Sequence, residues 1–228
     1  MRNVMVVGDV HGQFCKLNEL INKKRPDIIY ACGDFGYWPE ISYFNISGIK
    51  PKQTKIYFAD GNHENHDALT TLRCLHPHAM ALKTPIEVAK NVYYCPRGTI
   101  TYTPDGRKVL WMGGAYSIDK QYRTPGYDWF PQETIKWYEV DRVEEEKIDI
   151  LISHTCAKEN LHEMLRHNSI KALDPSNGCL SKILEWTRPD LWYFGHWHFW
   201  KKGHVVETDT YWTTLGCDGQ NGWWEWLK

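Results

Sequence analysis

Asp9 and His11 stand two residues apart in Gly8-Asp9-Val10-His11-Gly12, directly after the apolar run Val4-Met5-Val6-Val7. In extended backbone the side chains at i and i+2 point to the same side. A carboxylate oxygen and an imidazole nitrogen can therefore converge on one cation. Polar side chains just past a short apolar run recur four more times. They are Asp34 in Gly33-Asp34-Phe35-Gly36, Asn62 and His63 in Asp60-Gly61-Asn62-His63-Glu64, His154 after residues 148–153, and His196 and His198 in Gly195-His196-Trp197-His198. One such pentapeptide is equally compatible with a polar turn carrying a satisfied histidine; the recurrence argues for a metal site. Asp9, His11, Asp34, Asn62, His63, His154, His196 and His198 offer more N and O groups than one cation can use. Carboxylate, imidazole and amide oxygen without thiolate suit two hard-to-borderline divalent ions such as Mn, Fe, Zn or Ni.

Such groups need a scaffold that brings strand exits together. Apolar, β-branched runs over residues 4–7, 27–32, 55–59, 148–153 and 191–194 read as strands. Helical spacing covers 13–24, where Phe14, Leu17, Leu20 and Ile21 fall on one face before Arg25-Pro26, and it also covers 66–75, 156–167 and 180–187. Strand, loop and helix units of this kind belong to α/β architectures, whose sites form at the carboxyl ends of strands.

From residue 92 the texture changes. Residues 92–94, 99–103 and 108–112 read as short aromatic strands, the last two joined by Pro104-Asp105-Gly106. Residues 113–142 read as a loop with a helical stretch running on to 146. Lys120 and Arg123 in this span are phosphate contacts or, with equal weight, solvated charges. Residues 174–178 read as a loop, and 205–208 and 211–215 as closing strands before a Trp-rich tail. No internal repeat or low-complexity segment interrupts the pattern.

Composition narrows the function classes. The 228 residues suit one domain spanning 1–228. Lys plus Arg at 27 against Asp plus Glu at 28 gives a net charge of -1, so no global basic field recruits long nucleic acid. Seven cysteines, odd in number and without a Cys-x-x-Cys pair, read as reduced thiols of a cytoplasmic protein. No run of about 18 apolar residues suggests a membrane span. Twelve tryptophans are packing residues in the first instance. Trp38, Tyr116, Tyr127, Trp129 and Trp197 are candidates for a wall on which a base stacks.

The order Asp-x-His, Gly-Asp, Gly-Asn-His-Glu, a lone His and Gly-His-x-His resembles the calcineurin-like metallophosphoesterase superfamily, with all five blocks present between Gly8 and His198. The resemblance implies an α/β fold, a four-layer α-β-β-α sandwich with a dinuclear metal site at the strand ends. Asp9, His11 and His198 would hold the first ion, Asn62, His154 and His196 the second, with Asp34 between them. Manganese is the favoured pair, and Fe, Zn or Ni are alternatives. A metal-bridging hydroxide would attack phosphorus, and His63 would protonate the leaving alkoxide. The other histidines, His66, His76, His78, His162, His167 and His204, match no block and read as surface or helix-face residues.

Departures from the family bear on the substrate. Protein Ser/Thr phosphatases, which the opening block also resembles, follow the bridging Asp with an orienting Asp and a clamping Arg. Tyr37 and Trp38 stand there instead, leaving His63 without its usual partner in that segment. His198 fits the phosphodiesterase, nucleotidase and nuclease branches. The expected activity is hydrolysis of a small phosphodiester or nucleotide-like ester. A serine/threonine-type protein phosphatase or phosphomonoesterase is the alternative, and a nuclease or a metal-free binding module is less favoured.

Overall fold

The computed structural model describes residues 3–41, 46–167 and 174–228. Strands β1 (Val4–Val7), β2 (Ile28–Ala31), β3 (Lys55–Phe58), β4 (Ile86–Ala89) and β5 (Val92–Tyr94) form one sheet, joined at its edge by a strand near the C-terminus. The second sheet contains β6 (Thr99–Tyr102), β7 (Lys108–Met112), β8 (Ile150–Ser153), β9 (Leu191–Phe194), β10 (Lys201–Val205) and β11 (Thr210–Thr214), and β12 (Trp224–Trp226) returns to the first. The orders are β12-β1-β2-β3-β5-β4 and β10-β11-β9-β8-β7-β6. In both, four central strands run parallel and an antiparallel strand closes each described edge.

Period-two alternation sorts side chains between the two faces of each sheet. Val6, Tyr30, Trp111, Ile150, Ile152 and Tyr193 fill the layer between the sheets. Met5, Val7 and Ile29 on the opposite face meet α1 (Phe14–Lys24), through Leu17 and Ile21, and α2 (His66–Leu75), through Leu69. Leu151, Trp192 and Phe194 pack outward against α5 (Lys158–His167) and α6 (Pro175–Thr187), with the short α3 (Pro77–Ala81) and α4 (Trp137–Val140) completing the described helices. Helix, sheet, sheet and helix are therefore stacked in the expected four layers. Strands buried on both faces explain why the central ones read as continuous apolar runs rather than alternating ones.

The parallel strands end in register: Val7 pairs with Ala31, Ala31 with Phe58 and Phe58 with Tyr94, while Met112 pairs with Ser153 and Ile152 with Tyr193. Residues immediately beyond these ends sit at one height, on one rim of the molecule.

Several boundaries differ from the sequence expectations. The expected loop at 174–178 is the start of α6: Asp174 caps it by accepting the Ser176 N–H at 2.8 Å, and Pro175 occupies the first turn, where its missing N–H costs nothing. Of the strand expected at 205–208, only Val205 lies in β10; residues 206–209 are the turn after it, with Asp209 at φ 55. Lys201, Lys202 and Gly203 hid this edge strand by lacking apolar alternation. The helix expected to reach 146 stops at Val140 in α4. The Trp-rich tail contains β12, which pairs with β1. The seven cysteines are free thiols, and no helix of the described residues is long and apolar enough to cross a membrane.

Candidate metal centre and its cleft

Asp9, His11, Asp34, Asn62, His154, His196 and His198 converge on the rim where the parallel strands end. Asp9 leaves β1 fully buried, and its carboxylate takes the backbone N–H of His196 at 3.0 Å, tying the exit of β1 to that of β9 across the two sheets. His198 Nε2 lies 3.0 Å from Asp9 Oδ2 and 3.3 Å from His11 Nε2. Asp34 Oδ2 is 3.8 Å from His11 Nε2, and its Oδ1 is 3.3 Å from His154 Nε2. The same Oδ1 accepts the His63 N–H at 2.8 Å.

The backbone is strained where these side chains turn inward. His11 (φ 48), Asp34 (φ 43), His196 (φ 69) and His198 (φ 56) all occupy the left-handed region, which non-glycine residues rarely adopt. Neighbouring glycines give the room. A Cβ on Gly61 would overlap Asp34 Oδ1 and N, and one on Gly195 would overlap Asp9 Oδ1. Gly61→Ala is expected to cost about 1–3 kcal/mol in urea unfolding and to weaken Mn²⁺ uptake in a titration, because Asp34 must move aside. Unchanged uptake would show that the Asp34 position is not critical.

Second partners fix how the donors are presented. His154 Nδ1 faces the Cys32 carbonyl at 2.8 Å, so Nδ1 carries the proton and Nε2 is the nitrogen directed at Asp34 and at Asn62 Oδ1, 3.1 Å away. Asn62 Nδ2 donates to Ser117 Oγ at 3.0 Å, and Ser117 donates onward to Glu133 Oε2 at 2.8 Å. This chain turns the amide oxygen of Asn62 inward. Glu64, also buried, accepts the N–H groups of Gly36 and Gly61 at 3.1 and 2.6 Å, joining the β2 and β3 exits. Burial and the Asp34 charge push its carboxyl up to about 8.

Charge in this cluster favours a cation. Burial alone would lower the His154 pKa, but Asp34 and then Asp9 reverse this and raise it to about 10. Burial would raise Asp34, yet His154 and His63 hold it well below the carboxylate range. Desolvation and His154 drive His196 down to about 3, leaving a neutral imidazole with a lone pair to share. Asp9, His11 and His198 place one ligand atom each within 4.8 Å of one another, as do Asp9, Asp34 and His154. Buried carboxylates facing imidazole nitrogens therefore fit divalent ions. Asp9 belongs to both groups, so it as well as Asp34 lies centrally. His196 falls in neither triad but packs against His154, with ring centroids 5.0 Å apart.

His63 lies beside the cluster, its ring 5.2 Å from that of His11. Trp38 Nε1 donates to the His63 carbonyl at 2.7 Å. The partner missing from the segment after Asp34 comes from the 113–136 loop: Arg123 Nη2 sits 3.0 Å from His63 Nε2 and 2.9 Å from Asp119. Burial lowers the His63 pKa, and Arg123 and His11 add to this against the pull of Asp34. Lys120 lines no cavity beside the cluster; its ammonium rests 4.8 Å from the Tyr116 ring and 5.7 Å from that of Trp129. Of the candidate stacking residues, Tyr116 and Trp197 line one cavity at the site, Trp38 and Tyr127 a second, and Trp129 neither. His66 is fully buried on α2, with Nε2 2.9 Å from the Gly61 carbonyl. The His167 side chain lies outside the described residues.

Sequence reasoning passed over Arg97. Its guanidinium pairs with Asp60 at 2.6 Å and Glu139 at 2.8 Å and donates to the carbonyls of Gln132, Glu133 and Thr134. It thereby ties the loop bearing Ser117, Arg123 and Glu133 to the exit of β3. No periodicity marks such a residue. Asp60 carried the one visible signal, being a carboxylate directly after a strand.

The sequence model of the family described as calcineurin-like phosphoesterase matches residues 2–199. The chain belongs to the calcineurin-like phosphoesterase family. Among curated proteins it is similar to the lariat debranching enzyme of Schizosaccharomyces pombe, at 23% identity over 86% of this chain and 48% of that protein. The chain thus spans about half the length of this relative. Among solved structures, phosphopantetheinyl hydrolase from Mycobacterium tuberculosis aligns with a TM-score of 0.52 at 12% identity, over 99% of this chain and 95% of the other. That likeness is one of fold. The calcineurin-like family is one of phosphoric ester hydrolases, and its match ends one residue after His198.

Proposed function

We propose that the chain is a metal-dependent hydrolase of small phosphodiesters or nucleotide-like esters. The observation that carries this reading is the position of Asp34, 3.3 Å from His154 and 3.8 Å from His11, where groups from both sheets meet. Asp9, His11 and His198 would hold one divalent ion and Asn62, His154 and His196 the other, with Asp34 shared; manganese is favoured over Fe, Zn or Ni. When bound, the pair acidifies a water and neutralises charge on the phosphoryl oxygens.

The chain's own side chains supply orientation and protons. Arg123, now resting on His63 Nε2, turns its donors to the phosphoryl oxygens of an arriving ester. Losing the guanidinium and gaining a phosphate anion as neighbour both favour protonation of His63. Hydrolysis forms one P–O bond to water oxygen and breaks the ester P–O bond. The leaving oxygen keeps the electron pair and takes the proton from His63, while the attacking water gives its proton to solvent, from which His63 is reprotonated. His63→Gln is expected to keep its metal and lower kcat by roughly 10²–10⁴ on alkyl esters, with a smaller loss on nitrophenyl esters, whose leaving group needs no proton. A variant as active as wild type on alkyl esters would remove the acid role.

A metal-free binding module on this fold is disfavoured because every expected ligand position keeps a ligand-type residue. Lariat debranching, the activity in the yeast relative's name, is a second reading supported by that similarity. The net charge of -1 gives it no basic track for a long polyanion. The deciding experiment assays phosphomonoesters, cyclic nucleotides, dinucleotides and phosphopeptides with Mn²⁺, Ni²⁺ and Zn²⁺ in turn. Preferred turnover of diesters supports the proposal, and preferred turnover of phosphopeptides would replace it with the protein-phosphatase alternative.

A further inference from the structure

The contact between His63 and Arg123 is a wall shared by two cavities. One, of about 280 Å³, is lined by Tyr116, Ile118, Trp197, Asp119, Asp174 and Asn177 in addition to groups of the metal cluster. The other, of about 380 Å³, is lined by Trp38, Ile41, Tyr127 and Asp128, with His11 and Gly36. Both touch His63 and Arg123, so a phosphorus atom placed at that wall would have room for a substituent on each side.

Asp174 gives the first compartment its chemistry. Its Oδ1 caps α6. Its Oδ2 is buried without a hydrogen-bond partner, while Ser176, the backbone of Tyr116 and the charge of His154 help to carry the charge of the carboxylate as a whole. Burial raises the Asp174 pKa against the pull of these neighbours. Buried polar atoms without partners are uncommon in folded proteins. A ligand that brings a hydroxyl donor would satisfy this one. The second compartment offers, beside the Asp128 carboxylate, the Trp38 indole, the Ile41 side chain and the Tyr127 phenol, the last 72% exposed, a surface for a flat ring.

Building on the phosphoesterase reading above, we propose that the substrate is an asymmetric phosphodiester. A planar aromatic group rests against Trp38 and Tyr127, the phosphate sits at the His63–Arg123 wall, and a sugar-like group donates a hydroxyl to Asp174. A monoester would leave one compartment without a counterpart.

The test uses the Mn²⁺-loaded full chain and three esters: the p-nitrophenyl ester of uridine 5′-monophosphate, its 2′,3′-dideoxy analogue, and methyl p-nitrophenyl phosphate. The hydroxylated nucleoside ester is expected to exceed the dideoxy ester in kcat/KM by about tenfold or more, the value of a hydrogen bond to a charged group. In Asp174→Asn, which keeps the helix cap because Asn caps as well as Asp, that ratio is expected to fall to within about twofold. Tyr127→Ala, at an exposed position, is expected to raise KM for the nucleoside ester about fivefold or more. Equal kcat/KM for the hydroxylated and dideoxy esters in the wild-type protein would overturn the proposal while leaving the hydrolase reading intact. So would a ratio that survives in Asp174→Asn. If Asp174→Asn does not fold, the wild-type comparison decides alone. Failure to cleave any of the three esters with metal bound would instead remove the phosphoesterase reading, and this proposal with it.

Discussion

Asp34→Asn is expected to abolish metal uptake and hydrolysis together, with kcat falling about 10³-fold or more. Both carboxylate oxygens are engaged: Oδ1 accepts the His63 N–H at 2.8 Å and faces His154 Nε2, while Oδ2 faces His11 Nε2. An amide fills the same volume but removes the charge. In one orientation it also sets an NH₂ group against the His63 N–H. The variant should fold, because the shape of the side chain is kept. Metal analysis of the purified variant alongside its turnover is the decisive pair of measurements. Two equivalents of bound Mn²⁺ at wild-type affinity would show that Asp34 is no ligand.

Arg97→Met is expected to cost about 3–5 kcal/mol of stability, the penalty for stranding a buried charge. Asp60 and Glu139 both lose their counterion, and three loop carbonyls lose a donor. For a chain of this length the midpoint of thermal unfolding should drop by roughly 10 °C. Adding Asp60→Asn should recover part of the loss, since the amide can still accept from the Tyr94 hydroxyl, now 3.1 Å from Asp60 Oδ1. A double-mutant cycle in urea measures that coupling; no recovery would mean that Arg97 acts through packing alone. The pair also sets a pH dependence. Burial would raise the Asp60 pKa, but Arg97 chiefly, then His66 and Arg73, hold it below its ordinary value. A depressed folded pKa means that this stabilisation is present above the unfolded value of about 3.9 and is lost as pH falls through the folded one.

Much of this molecule was legible in the order of its residues because its chemistry lies at strand exits. A strand declares itself by an apolar run, and the polar residue after it is marked by contrast. Asp9, Asp34, Asn62, His154 and His196 could all be picked out in this way, and α2 was bounded correctly because Asn65 caps it and its apolar residues keep helical spacing. What escaped reading was polar and long-range. Arg97 meets Asp60 across 37 residues and Glu139 across 42, and Arg123 meets His63 across 60; neither leaves a local trace. Asp174-Pro175 and Asn177-Gly178 carry turn signals that α6 absorbs at its first turn. β4, β10 and β12 escaped because edge strands need not bury both faces.

The donors at the rim have divided ancestry within the chain: Asp9, His11, Asp34 and Asn62 follow strands of the first sheet, and His154, His196 and His198 follow strands of the second. Neither half carries a full complement by itself. An ion seated among them would act as a clasp across the seam of the sandwich, and because it favours only the closed form, cohesion of the two halves and readiness for chemistry would rise and fall with the same metal supply.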